Sequence, residues 1–290
     1  MSDRKISAVS EDPSNRRTSC SVCPHHCVLS EGQYGRCRAR KQENGQVVCD
    51  NYGCVTALMA DPIEKKPLRR FFPGSMILSV GSFGCNLSCP FCQNFEISMA
   101  GQGEIRHQKW SPVELAQTAY KYQEYGNIGV AFTYNEPMVG YEFVRDTARL
   151  VHEQGMKNVV VTNGFAELLV LEELIPWIDA MNIDLKGFTE GYYRKLGGDL
   201  GTVKRFIERA ARDCHVEVTT LIVPGENDSL EEMEQEARWI ASVDPEIPLH
   251  VTRFFPQYQM EDREATEVKK IYELREAAGG YLKYVYVGNC

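Results

Sequence analysis

From Ser75 onward the chain alternates short apolar runs with longer stretches in which apolar residues recur at helical spacing. The apolar runs predict strands at Met76–Val80, Ile128–Phe132, Asn158–Thr162, Ala180–Asp184, Val216–Val223 and Leu249–Arg253, and Tyr284-Val285-Tyr286-Val287 offers a last one. Val159-Val160-Val161 and Val216 to Val223 are rich in β-branched residues, as in strands buried on both faces of a parallel sheet. Helix starts are legible at Ser111-Pro112-Val113-Glu114 and Ser229-Leu230-Glu231-Glu232, each with a Ser cap and a Glu three residues on. Leu230, Met233, Ala237 and Ile240 then trace one buried face. Further helices are expected over 137–153, stopped by Gly155, and over 265–278, stopped by Gly279-Gly280. Six strand-then-helix units argue a parallel α/β sheet, open or barrel-like, whereas a full eightfold barrel needs two more.

Before Ser75 the pattern is different. Residues 1–17 are Ser, Asp, Glu, Arg and Pro without periodicity and read as a disordered tail. Residues 18–65 hold six cysteines, Cys20 to Cys54, among Gly, Pro and polar residues, which reads as a small metal-stapled module. The boundary is expected between Asp61-Pro62 and Pro73-Gly74, leaving residues 66–290 to the α/β domain.

Composition narrows the function. The chain has 290 residues, 43% of them hydrophobic and 25% charged, with a net charge of −8. That balance carries no clear nucleic-acid signal. The basic run Lys65-Lys66-Pro67-Leu68-Arg69-Arg70 reads as a solvated face. Residues 1–17 lack the apolar core of a signal peptide, and no stretch of about 18 apolar residues occurs that would span a membrane. Nine of the eleven cysteines fall in two clusters, which suits metal thiolates in a reducing cytoplasm better than disulfides.

The second cluster is the sharpest signal. In Cys85-Asn86-Leu87-Ser88-Cys89-Pro90-Phe91-Cys92 three thiols stand at C-x3-C-x2-C. Iron–sulfur clusters are normally closed by four cysteines; three leave one iron open, which an electron carrier avoids and an enzyme uses. Zinc sites usually pair their cysteines twice over, and no second pair follows closely. The motif, with the aromatic Phe91 before its last cysteine, resembles that of the radical S-adenosylmethionine (radical SAM) family. The resemblance implies that Cys85, Cys89 and Cys92 bind a 4Fe-4S cluster whose open iron chelates the amino and carboxylate groups of SAM. It also implies a partial (β/α)6 TIM-like barrel, the cysteine loop following its first strand on the rim where barrel active sites lie.

Motifs after the later strands extend the likeness. Thr133-Tyr134-Asn135-Glu136-Pro137 resembles the Gly-Gly-Glu-Pro of glycyl-radical-enzyme activases, the branch of pyruvate formate-lyase activating enzyme, without the two glycines. There Glu136 would hold the SAM ammonium and Asn135 supply a carbonyl. Thr162-Asn163-Gly164-Phe165 and Asp184-Leu185-Lys186 match activase motifs that implicate Thr162, Asn163, Asp184 and Lys186 in SAM contact. Val161 and Asn182 depart from the activases' Asp and Met, so the likeness does not extend to a monovalent-cation site. Val223-Pro224-Gly225-Glu226-Asn227-Asp228 and Phe255-Pro256-Gln257-Tyr258 complete the series, Tyr258 standing for a ribose-facing histidine. Asp61-Pro62-Ile63-Glu64-Lys65-Lys66-Pro67-Leu68, Cys92-Gln93-Asn94 and Val285-Tyr286-Val287-Gly288-Asn289 are hallmarks shared with AmmeMemoRadiSam-type radical SAM proteins.

What this implies is an oxygen-sensitive oxidoreductase. A reduced cluster, fed by a flavodoxin- or ferredoxin-type donor, cleaves SAM to a 5′-deoxyadenosyl radical that abstracts hydrogen from a substrate. The substrate is open: a partner protein that receives a glycyl radical, or alternatively a small molecule, peptide or RNA. A non-catalytic metal-bound redox or scaffold protein is the remaining alternative. Cys20-x2-Cys23-x3-Cys27-x9-Cys37 is a candidate second metal site, for zinc or another iron–sulfur cluster, with Cys49 and Cys54 unassigned. Cys214 reads as a core residue and the six histidines as structural.

Overall fold

A computed structural model describes residues 17–290, so the expected tail lies outside the described residues except for Arg17. The α/β domain is one eight-stranded sheet: β1 (Ala57–Pro62), β2 (Met76–Gly81), β3 (Asn127–Phe132), β4 (Lys157–Thr162), β5 (Ala180–Asp184), β6 (His215–Ile222), β7 (Leu249–Arg253) and β8 (Val285–Gly288). Strands neighbour one another in chain order, all parallel except β1, which runs antiparallel to β2. The helices between them are α1 (Pro112–Lys121), α2 (Tyr141–Glu153), α3 (Leu168–Leu174), α4 (Glu190–Leu196), α5 (Leu200–Ala210), α6 (Leu230–Val243) and α7 (Val268–Gly279). This is the mixed α/β architecture of the partial TIM-like barrel expected from the sequence. Among the described residues no helix is long and apolar enough to cross a membrane.

The cap expectations meet two outcomes. At α1 Ser111 Oγ accepts from Glu114 N and Glu114 accepts from Ser111 N, a complete capping box. At α6 Ser229 caps Glu232 N, but the Glu232 carboxylate turns instead to Phe188 N at 2.7 Å, tying the helix start to the loop after β5. The helix expected over 137–153 begins as a 3₁₀ turn, Pro137–Gly140, and becomes α2 at Tyr141.

β1 was not foreseen. It lies on the module side of the expected boundary, yet adds an edge strand to the main sheet with Asp61 opposite Ile77. From its end, residues 63–71 cross the base of the curved sheet. Ile63, Leu68 and Phe71 bury themselves against Ile77, Ala131, Val159 and Ala180. Full burial of Ile63 or Leu68 contributes about 1.5–3 kcal/mol each. The basic run is therefore not a uniformly solvated face: Leu68 is buried, and the Lys66 side chain is 3% exposed because Asp61 pairs with it at 2.9 Å. The crossing is pinned from inside the barrel. Asn182 Nδ2 donates to Pro67 O, while Glu217 accepts from Arg69 N, Arg70 N, His215 Nε2 and His250 Nε2.

The cysteine-rich module is a set of short hairpins, 18–19 with 28–29 and 40–43 with 46–49. It folds against the barrel rather than around a core of its own. Arg40 makes a bidentate pair with Glu142 and donates to Val139 O, Glu167 N donates to Val22 O, and Asn51 Nδ2 donates to Phe83 O.

Glu217 supplies a test of the pinned base. Burial alone would raise its carboxyl, but the two imidazoles and two backbone N–H donors hold it down at about 2. A folded value depressed from 4.5 to about 2 gives stability that is present above pH 4.5 and lost as pH falls toward 2, about 3 kcal/mol in all. Glu217→Gln should lower unfolding free energy by about 2–3 kcal/mol at pH 7, with the difference shrinking toward pH 3. Equal urea midpoints for the two proteins at pH 7 would remove the pin from this account.

Candidate active site

The cysteine loop leaves β2 through Gly84, where φ is +90° and an added Cβ would stand 2.5 Å from Cys37 O. Only glycine lets the module approach so closely. The loop then carries Cys85, Cys89 and Cys92 onto a cavity of about 420 Å³. Phe91, Asn135, Glu136, Thr162, Asn163, Asp184 and Lys186 line the same cavity, which brings the cysteine loop and these residues to one place. The loops after β3, β4 and β5 carry them there, as the parallel topology requires.

Glu136 is the centre of the arrangement. Its side chain, 3% exposed, accepts from Thr162 Oγ1 at 2.6 Å, Asn163 N at 2.8 Å and Met138 N at 3.0 Å. Burial nonetheless outweighs these bonds and pushes its carboxyl up to about 7. Asn163 Nδ2 donates to Asn86 Oδ1 at 3.0 Å and lies 3.6 Å from Cys85 Sγ, joining the β4 loop to the cysteine loop. Asn86 in turn donates to Phe165 O, and its backbone carbonyl meets His25 Nε2 at 2.8 Å. Across the cavity Lys186 Nζ pairs with Asp184 Oδ2 at 2.7 Å. Burial opposes the Lys186 charge, but Asp184 and Cys89 hold its value above the usual lysine range.

The thiols themselves are poised by burial. It drives Cys85 well above the ordinary thiol value, with Glu136 adding to the effect. Cys89 is pushed up to about 12 by burial, against a lowering pull from Lys186. All eleven cysteines are free, so no disulfide competes for them. Among the described residues no three His, Cys, Asp or Glu side chains are drawn together as a single metal ion requires. Three thiols around one cavity, Cys89 buried and Cys85 and Cys92 partly so, with a lysine beside Cys89 to favour its thiolate, fit a 4Fe-4S group left open on one side.

Three neighbours are committed to other partners. The side-chain carbonyl of Asn135 accepts from Ser82 N at 2.9 Å, and its amide holds Phe83 O and Gly84 O. Asn135 thus shapes the loop from β2. Tyr258 stacks on Phe95 at 4.6 Å with φ of +58° and does not line the cavity. Asn182 bonds Thr219 and Pro67 O. The sequence reading missed Asn86, which lay inside the cysteine motif, and Asn227, whose amide holds Lys186 O from the loop after β6.

These features gather three cysteines, a buried carboxylate and an ion pair at one cavity on the rim of a partial barrel. The chain belongs to the Radical SAM superfamily, whose description it matches over residues 79–240. It is 38% identical to the uncharacterized protein MJ0808 of Methanocaldococcus jannaschii over 278 residues, 95% of this chain and 82% of that one. With pyruvate formate-lyase 1-activating enzyme of Escherichia coli K12 it shares 26% identity over 50% of this chain and 60% of the enzyme. The fold is similar to Streptococcus suis SuiB bound to S-adenosylmethionine, with a TM-score of 0.58 and 14% identity over 74% of this chain and 52% of that one.

Proposed function

We propose that the protein cleaves SAM reductively at a 4Fe-4S cluster held by Cys85, Cys89 and Cys92, and that the product radical takes hydrogen from a substrate in the same cavity. The observation that carries this reading is the buried Glu136 carboxylate, fixed by three hydrogen bonds beside the cysteine loop. When bound, the reduced cluster supplies one electron to the SAM sulfonium, yielding methionine and a 5′-deoxyadenosyl radical. Glu136 accepts the SAM ammonium, and ionises fully when that cation arrives. Thr162 and Asn163 hold the carboxylate in place. Asp184 and Lys186 form a second polar contact with the coenzyme, and Phe91 walls the loop with its ring stacked 6.5 Å from Tyr192. The electron comes from an external carrier of flavodoxin or ferredoxin type.

Two substrate readings compete. Activation of a glycyl-radical enzyme is supported by the Thr162-Asn163-Gly164-Phe165 and Asp184-Leu185-Lys186 motifs and by the relative named as such an activase. Action on a small molecule is favoured by the cavity, which runs from the cysteine loop down to Lys66 and Pro67 at the base of the sheet. We adopt the second, because a deep polar hollow binds a whole small molecule where a protein loop needs only the mouth.

We propose that Cys20, Cys23, Cys27 and Cys37 serve a second metal centre, zinc or iron–sulfur, whose binding would draw the thiols closer than they stand. All four line one small pocket, and burial pushes Cys23 up to about 12 and raises Cys37. Metal would supply folding energy to a module with few apolar residues.

In anaerobically reconstituted protein, Cys89→Ala should abolish dithionite-driven 5′-deoxyadenosine formation while Cys214→Ala retains it; full activity in the Cys89 variant sinks the cluster assignment. Glu136→Ala should weaken SAM binding by about 1.5–3 kcal/mol, the range for a charge-assisted hydrogen bond. Unchanged calorimetric affinity, with the iron content intact, would put the ammonium elsewhere. For the module, Cys23→Ser should lower total metal and open residues 18–60 to limited proteolysis. Unaltered metal and protection would make these cysteines ordinary buried thiols.

A further inference from the structure

The segment Asp61-Pro62-Ile63-Glu64-Lys65-Lys66 has no part in the coenzyme reading, yet it delivers charge to the base of the same cavity. Asp61 Oδ2 accepts from Lys66 Nζ at 2.9 Å and from Tyr134 Oη at 2.6 Å, and Asp61 Oδ1 lies 3.3 Å from Lys65 Nζ. Two ammonium groups therefore share one carboxylate, leaving a net positive charge at this end. Lys66 Nζ also stands 4.6 Å over the Tyr134 ring. An ammonium has three N–H donors; Asp61 takes one, the ring faces the group from another side, and Lys66 lines the cavity.

The arrangement is held at a cost. Tyr134 adopts a φ of +73°, unusual for an aromatic residue, which turns its ring back over Gly81. A Cβ at Gly81 would lie 2.8 Å from Tyr134 Cδ2. A buried ion pair is in itself weak support for a fold, since apolar residues of similar size would serve as well. Burial also draws Lys66 below the usual lysine value despite Asp61, so its charge is incompletely compensated. The wall above it, Thr219, Thr252 and Asn289, carries no carboxylate, and its hydroxyls and amide already donate to Asn182 Oδ1, Thr220 O and Arg253 O, which leaves Lys66 as the donor at this end. The cavity's own carboxylates, Glu136 and Asp184, belong to the coenzyme end with Lys186.

We propose that the base of this cavity recognises an anionic oxo group, carboxylate or phosphate, on a small substrate, and that Lys66 holds it while Asp61 and Tyr134 position the lysine. This rests on the reading of the cavity as the SAM and substrate site, and it makes Lys66 a residue of substrate specificity. Lys65, 67% exposed, contributes field rather than contact.

The test uses the reconstituted, SAM-saturated protein, titrated calorimetrically with inorganic phosphate and, separately, with acetate. Wild type should bind at least one of them at a single site, the tighter of the two identifying the chemistry of the substrate's anionic group. Lys66→Met should weaken that binding at least about tenfold and Lys66→Arg by no more than about threefold, because the cation is kept. Lys66→Met leaves Asp61 buried without its partner, so Asp61→Asn/Lys66→Met, checked by thermal denaturation, repeats the measurement with the charge balanced. Equal binding by wild type and the double variant, or no binding of either anion to wild type, overturns the proposal. SAM affinity of wild type in the same preparation separates the two readings. If SAM binds and neither anion does, only the anion site falls; if SAM itself does not bind, the coenzyme reading falls first.

Discussion

A carboxylate cannot be buried without hydrogen bonds, and the rim of this barrel is organised around satisfying one. Glu136 draws its donors from three places: the hydroxyl of Thr162, the backbone of Asn163 and the backbone of Met138. Each donor fixes a separate stretch of chain, the end of β4, the turn beyond it and the 3₁₀ entry to α2. Through Asn163 the same network reaches Asn86 and Cys85, so the cysteine loop inherits its position from the carboxylate. Loops are usually the mobile parts of a barrel; here they are cross-braced by their own side chains and backbone.

The inside of the sheet is equally dependent on polar pairing. A closed eight-stranded barrel fills its interior with branched apolar side chains. This one carries Asn182, Glu217, Thr219, His250 and Thr252 instead, each matched to a partner across a strand or on the chain crossing the base. Apolar packing is confined to the lowest layer, around Ile77, Ala131, Val159 and Ala180, where Ile63, Leu68 and Phe71 cover it. The result is a hollow with a dry foot and a wet shaft, open to the cysteines above.

The fold was legible where one residue pattern had one physical meaning. Val159-Val160-Val161 is bounded by turn residues and can only be a buried strand, and the cysteine spacing admits few chemistries. The site followed, because parallel strands bring their carboxyl ends together and the candidate residues sit just beyond those ends. What escaped had two meanings. Ala57–Pro62 ends in Asp-Pro, which reads as punctuation but here terminates an edge strand, a position proline tolerates. Lys66 reads as solvated until Asp61 is seen beside it, five residues away in sequence and in contact in space. The Ser229 and Glu232 pair reads as a capping box, yet Glu232 finds a better donor in Phe188, which sequence spacing could not reveal. Asn135 was assigned to the coenzyme by motif, whereas its amide is consumed by the backbone of Ser82, Phe83 and Gly84.

The chain that crosses the base has a consequence for how the molecule is assembled. Residues 63–71 leave the ribosome early, but the carboxylate that fixes Arg69 and Arg70 is 148 and 147 residues further on. Until β6 exists the basic run lacks its Glu217 anchor, although the apolar partners of Ile63 and Leu68 on β2 to β5 are already made. Contacts of such long range form late and slowly, because their loop-closure entropy is lost before they return anything. Seating of this segment therefore reports that nearly the whole sheet has been made. A chain stopped short of Glu217 would present an unanchored basic run and an unpaired edge on β5 together, and an open strand edge is what aggregation recognises in an unfinished protein.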